Sequence, residues 1–291
     1  MNPFPSAFEK DSGRDFPGAV EIVRDAHAAH DGPMRSIAVV GAKGGVGKTS
    51  LVVSLAIAAA ESGKRVLLFD GDLALGKVSL LLGLAPRWTL FDVLAGERTL
   101  EEILITGPSG IHIVPAALGI EAMADLDDYR QETLLLSLQK LSRRYDALFI
   151  DTATGIQRQT LRLARSAQEA LVLMTPEIPA LADAYSTVKA LASRRPACAL
   201  SLVVSMNRGE VEAERAARRL QRLSRRYLGF APPLRGAFPL DSAVRHALAR
   251  QRPFVLLDPE APASRAARRL SRMLLEPSAG EALQMRAAVG E

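Results

Sequence analysis

Short runs of β-branched and aliphatic residues alternate along the chain with longer segments in which apolar positions return every third or fourth residue. Runs at 37–40, 65–69, 111–114, 147–150, 170–174, 200–205 and 234–238 have the length of buried strands. Segments 49–62, 134–144, 180–192 and 210–227, with 241–250 and 262–275 near the end, carry the period of helices that bury one face. Gly63 closes the first of these helices. Between the second and third runs, 73–84 reads as a loop and short helix and 90–105 as further amphipathic helix. Strand and helix in steady alternation predict an α/β fold: a doubly wound, mostly parallel sheet of about seven or eight strands with helices on both faces.

The ends break this pattern. Residues 1–34 mix Pro, Gly, acids and bases, and only 19–29 carry helical spacing, through Val20, Val23 and Ala26. A mobile arm with one short helix is therefore expected over 1–34, a single α/β unit over 35–276 and a C-terminal tail over 277–291. No apolar run approaches the ~18 residues that span a bilayer, and no basic stretch leads into a long apolar one near the start, so a secreted or membrane-integral protein is not expected. Cys198 is the sole cysteine, which excludes an intramolecular disulfide and fits a reducing cytoplasm; within a strand at 197–204 it reads as an inert core thiol. The net charge of +5 hides an asymmetry, since no lysine follows Lys189 while 194–272 holds seventeen arginines against six acids. A stripe of Arg218, Arg219, Arg222, Arg225 and Arg226 would draw DNA or an anionic lipid surface, although the same spacing describes the solvated face of an ordinary helix.

Chemistry enters where the first apolar run breaks into Gly-Ala-Lys-Gly-Gly-Val-Gly-Lys-Thr-Ser, residues 41–50. Gly44, Gly45 and Gly47 let the backbone turn tightly and bring N–H groups close to phosphate oxygens, with Val46 and Ser50 completing the cradle. The helix that follows points its positive end at the same anion, Lys48 is spaced to reach the outer phosphates and Thr49 to ligate Mg2+. Ala42 stands where the general pattern has its first glycine. Asp151, ending an apolar strand, is expected to reach magnesium directly or through water. Asp70 and Asp72 end another strand at alternate positions, so both carboxylates point to one side, Asp70 toward the metal and Asp72 toward an attacking water. Late strand ends carry Ser205-Met-Asn207-Arg208 and Phe238-Pro239, and neither shows the N-K-x-D pattern of a guanine site, which favours ATP over GTP.

With Lys43 at its front, the loop reads K-G-G-x-G-K-T and resembles the deviant Walker A signature of the MinD/ParA family of dimerising ATPases. Val66-Leu-Leu-Phe-Asp70-Gly-Asp72-Leu-Ala-Leu, Leu81-Leu-Gly-Leu-Ala-Pro86, Asp151-Thr-Ala-Thr-Gly-Ile156 and Thr175-Pro-Glu-Ile-Pro-Ala180 are similar to the FlhG/FleN branch, which controls flagellar number and placement. The resemblance implies ATP with Mg2+ as ligands and slow hydrolysis. It also implies a face-to-face homodimer in which Lys43 reaches the partner's nucleotide, and adenine contacts from Asn207, Arg208 and Pro239. Its partners would be an FlhF-like GTPase or a FleQ-like regulator, with peripheral attachment to the inner face of the membrane through a C-terminal amphipathic helix. Two departures stand just after Asp72: Lys77 replaces an Asn of the branch and Ser79 an Asp. A ParA-like ATPase that partitions DNA, or a weakly hydrolysing ATP-binding regulator, are the alternative readings.

Overall fold

The computed structural model describes residues 34–120, 123, 126–193 and 198–276. The short helix expected at 19–29 and the tail expected at 277–291 lie outside the described residues. In chain order the elements are β1 (Arg35–Val40), α1 (Lys48–Glu61), β2 (Val66–Gly71), α2 (Lys77–Leu81), α3 (Leu90–Leu94), β3 (Ile105–Thr106), a 3-10 turn (Pro108–Gly110), β4 (His112–Val114) and α4 (Asp128–Ser142). They continue with β5 (Ala147–Thr152), α5 (Arg158–Arg165), β6 (Glu169–Met174), α6 (Ile178–Ala192), β7 (Ala199–Asn207), α7 (Glu210–Leu228), β8 (Leu234–Pro239), α8 (Ser242–Ala249), α9 (Phe254–Leu257) and α10 (Pro262–Leu275).

The strands form one eight-stranded sheet in the order β3-β4-β2-β5-β1-β6-β7-β8. Only the two-residue edge strand β3 runs antiparallel to its neighbour, so the doubly wound, mostly parallel architecture is as the alternation predicts. Side chains of a strand point to opposite faces in turn, and here each set enters a different core. Ala38, Val40, Leu67, Phe69, Leu148 and Ile150 meet residues of α4, α5, α6 and α7. Ile37, Val39, Val66, Leu68, Ala147 and Phe149 meet α1, α9 and α10. Helix α1 is buried along nearly all its length because α10 covers its outer side: the Ser271 hydroxyl donates to the Leu55 carbonyl at 2.9 Å, and Arg268 pairs with Glu61 at 3.0 Å.

At the amino end of the strands a carboxylate is held inside. Glu169, only 3% exposed, accepts from the Ser201 hydroxyl at 2.5 Å and from Arg235 at 3.1 Å, with Arg35 at 3.7 Å. It thereby joins β1, β6, β7 and β8 at the end of the sheet opposite the glycine loop. Cys198 precedes β7 and is half-buried, and burial pushes its thiol above the ordinary value.

Several segments differ from expectation. The helix read over 90–105 stops at Ala95, where Gly96 takes a φ of 79° that reverses the chain, and β3 follows. Helix α4 begins six residues before its first apolar position, capped by Asp127, whose carboxylate accepts from the Arg130 N–H at 2.8 Å. Helix α5 has no counterpart in the sequence-based expectation.

Candidate functional site

The loop between β1 and α1 turns through Gly45 and Gly47, whose φ values of 77° and 91° are left-handed and favour glycine. Gly44 is exposed and turns without a positive φ. The loop is tied to the end of β5 by the Gly155 N–H, which donates to the Gly41 carbonyl at 3.1 Å. Strands β2 and β5 approach so closely here that a Cβ at Gly71 would sit 2.4 Å from the Asp151 carbonyl oxygen. This close packing sets Asp70 beside Asp151 in register.

Four of the expected side chains converge. The Thr49 hydroxyl donates to Asp151 Oδ2 at 2.6 Å, while Asp151 Oδ1 is buried without a hydrogen-bond partner. Burial pushes the Asp151 carboxyl up to about 6, against the downward pull of the Thr49 hydroxyl and then the Lys48 charge. Lys48 Nζ donates to the Thr154 hydroxyl at 2.8 Å; burial draws its ammonium below the ordinary value, and the nearby Asp151 carboxylate opposes this. Asp72, also buried, pairs with Lys77 at 2.8 Å. A cavity of about 420 Å³ is lined by Gly45, Gly47, Lys48, Thr49, Ser50, Lys77 and Thr154.

Asp70 takes a different position from the one its spacing suggests. It is fully buried, and its two oxygens accept from the Asp72 and Val78 N–H groups at 3.3 and 3.0 Å. Burial, and then the Asp151 carboxylate, hold its carboxyl well above the usual range. In this arrangement Asp70 anchors the start of α2.

A second cavity of about 280 Å³ adjoins the first through Gly45, Gly47, Ser50 and Leu248, and is walled mainly by apolar side chains including Val46, Leu51, Met206, Phe238, Pro239 and Leu240. Pro239 lies in it. Asn207 instead spends its amide on the walls, donating to the Phe238 and Val204 carbonyls at 2.7 and 3.1 Å and accepting from the Gly209 N–H at 3.1 Å. Arg208 is exposed and faces a separate groove over the start of α7. Lys43 is exposed and lines neither of the two adjoining cavities.

Met206, Thr154 and Gly71 belong to the site although none stood out as a candidate residue. Met206 adopts a left-handed φ of 55° where the pairing of β7 with β8 slips, and this turns a 40% exposed side chain into the apolar cavity. A non-glycine residue in that region costs on the order of 1 kcal/mol.

A glycine loop between a central strand and a buried helix, a Lys-Thr pair at the helix start and an aspartate on the adjacent strand define a P-loop nucleotide-binding protein. A family model described as an AAA domain matches residues 34–194. The antiactivator FleN of Pseudomonas aeruginosa is 38% identical over 220 residues, 76% of this chain and 79% of FleN. The septum site-determining protein MinD of Pyrococcus horikoshii, solved with Mg-ADP, is similar with a TM-score of 0.73 and 27% identity over 86% of this chain and 99% of that one. MinD in the MinC:MinD complex of Aquifex aeolicus gives a TM-score of 0.69 at 26% identity, over 83% and 95% of the two chains. The chain belongs to the MinD/ParA-type P-loop ATPases, on their FlhG/FleN branch.

Proposed function

We propose that the chain is an ATP-binding and slowly hydrolysing dimeric switch of the MinD/FlhG type, regulating the number or placement of flagella through ATP-dependent dimerisation and partner binding. One observation carries the reading: Lys48 and Thr49 line one cavity beside an apolar slot, with Asp151 bonded to Thr49 and Asp72 paired with the cavity-lining Lys77. Lys43 stands exposed outside both.

In this reading the loop amides and Lys48 bind the phosphates, and the adenine enters the slot walled by Phe238, Pro239 and Met206. Thr49 and Asp151 are the residues that would hold Mg2+. The unpartnered Oδ1 of Asp151 and the adjoining hydroxyl are hard oxygen donors, and magnesium commonly takes one or two such protein ligands with phosphate and water supplying the rest. Magnesium, when bound, neutralises charge on the phosphates. Asp72 orients the attacking water. Lys43 of one subunit reaches the nucleotide of the other and stabilises the charge that develops on the transferred phosphoryl group. Among the described residues no helix is long and apolar enough to cross a membrane, and the proposed location is the cytoplasm, with peripheral contact at the inner face of the membrane. An FlhF-like GTPase or a FleQ-like regulator is the proposed partner class. The name antiactivator carried by the Pseudomonas relative and the partner complex of the Aquifex one support a regulatory role.

The test is phosphate release from ATP and GTP by the native chain and by Lys48→Ala. Slow release from ATP alone, absent in the variant, is expected; equal turnover of GTP, or a Lys48→Ala chain as active as the native one, would contradict the reading.

A ParA-like role on non-specific DNA is the second reading, supported by the exposure of Arg215, Arg218, Arg219, Arg222, Arg225 and Arg226 along α7. DNA retention that requires ATP and falls steeply with salt would favour it, and absence of retention under every nucleotide condition would exclude it.

A further inference from the structure

The cavity beside the glycine loop contains a second ammonium group that the loop motif does not account for. Lys77 opens α2, lines the cavity with Lys48, Thr49 and Thr154, and lies 2.8 Å from Asp72 Oδ2. The two partners differ in freedom, since the Lys77 side chain is 41% exposed and that of Asp72 only 7%. Asp72 is pinned through its backbone: its carbonyl accepts from the Leu75 and Gly76 N–H groups, both at 3.0 Å, and its own N–H is held by Asp70 at 3.3 Å. Asp70 also holds the Val78 N–H, which fixes the root of Lys77 while leaving its four-carbon stem free to swing. The ammonium is the partly exposed partner and can exchange one negative group for another, and a polyphosphate entering the same cavity offers it several negative oxygens at once. Lysine, a rotatable point charge, suits that exchange.

We propose that Lys77 is a second phosphate-binding cation supplied by the same chain. Without nucleotide it covers Asp72; with ATP it turns onto the terminal phosphate and leaves the Asp72 carboxylate free to hold the attacking water. The inference rests on the ATP-hydrolysing reading above and adds to it a residue that discriminates ATP from ADP.

The test is displacement of fluorescent N-methylanthraniloyl-ADP by unlabelled ATP and ADP, with magnesium, from the native chain, Lys77→Asn and Lys77→Arg. A hydrogen bond between charged groups is worth about tenfold or more in affinity. Lys77→Asn is therefore expected to weaken ATP by about tenfold or more while ADP changes by less than about twofold, and Lys77→Arg to keep most of the preference. An unchanged ATP-to-ADP ratio in Lys77→Asn would overturn the proposal. So would equal weakening of both nucleotides, the mark of a merely structural role at the start of α2. If the native chain bound neither nucleotide, the ATP reading itself would fall, and this inference with it.

Discussion

Asp151 offers a measurable consequence of the proposed magnesium site. Its carboxyl is fully buried, one oxygen has no partner, and its pKa stands at about 6 against an ordinary 3.8. An acid whose folded-state pKa is raised is ionised at a cost to the fold. Below pH 3.8 both states are protonated and the cost is absent; it grows as the pH rises and is complete above about pH 6. Two units correspond to about 3 kcal/mol at neutral pH and roughly half that at pH 5. Asp151→Asn removes the charge and keeps an acceptor for Thr49, but puts an amide N–H where the unpartnered oxygen was, returning about 1 kcal/mol. The nucleotide-free variant should therefore be about 2 kcal/mol more stable than the native chain at pH 7.5, or roughly 4–8 °C in Tm for a chain of this size. Thermal unfolding followed by circular dichroism at pH 5.0 and 7.5, with neither nucleotide nor magnesium, measures it. A variant less stable at pH 7.5, or a gap that does not shrink toward pH 5, would show that the Asp151 charge does not cost the fold stability.

Asp72→Ala should slow phosphate release by about a hundredfold or more and leave an ATP-bound dimer that persists on size exclusion; normal turnover would remove Asp72 from the water-positioning role. Glu169→Ala removes the buried carboxylate that Arg35 and Arg235 share at the opposite end of the sheet, and breaking a buried pair in this way costs about 3–5 kcal/mol. The expected outcome is a Tm lower by roughly 6–20 °C, with ATP affinity at low temperature unchanged; a drop of a degree or two would show that the pairs are worth little.

Much of the fold could be read from local pattern. Strands buried on both faces produce unbroken apolar runs such as 66–69 and 147–150, and the glycine loop depends on residues adjacent in sequence. What escaped notice depends on distant parts of the chain. Helix α5 carries three arginines in eight residues and buries only Thr160, Leu163 and Ala164, too few for a clear period. The opening turns of α4 bury only Gln131, so the apolar pattern begins at Leu134. Within the site, an aspartate at a strand end looks the same whether it faces a metal or a turn. The path of 73–78 brings the Val78 N–H over Asp70, and nothing adjacent in sequence specifies that path. The resemblance assigns Asn207 to the base, and only the fold shows its amide joining β7 to β8. Met206 became part of the apolar cavity through a slip in strand register that no periodicity reveals.

In the proposed mechanism ATP itself assembles the active form and Lys43 completes it from across the interface. The most direct measurement is the mass in solution, by light scattering, of the native chain and Lys43→Ala with magnesium and either ATP or ADP, alongside phosphate release from the same samples. The native chain is expected at doubled mass with ATP and single mass with ADP, and the Lys43→Ala chain is expected to bind ATP but release no phosphate. A native chain of single mass under both nucleotides, or normal release by Lys43→Ala, would contradict this mechanism.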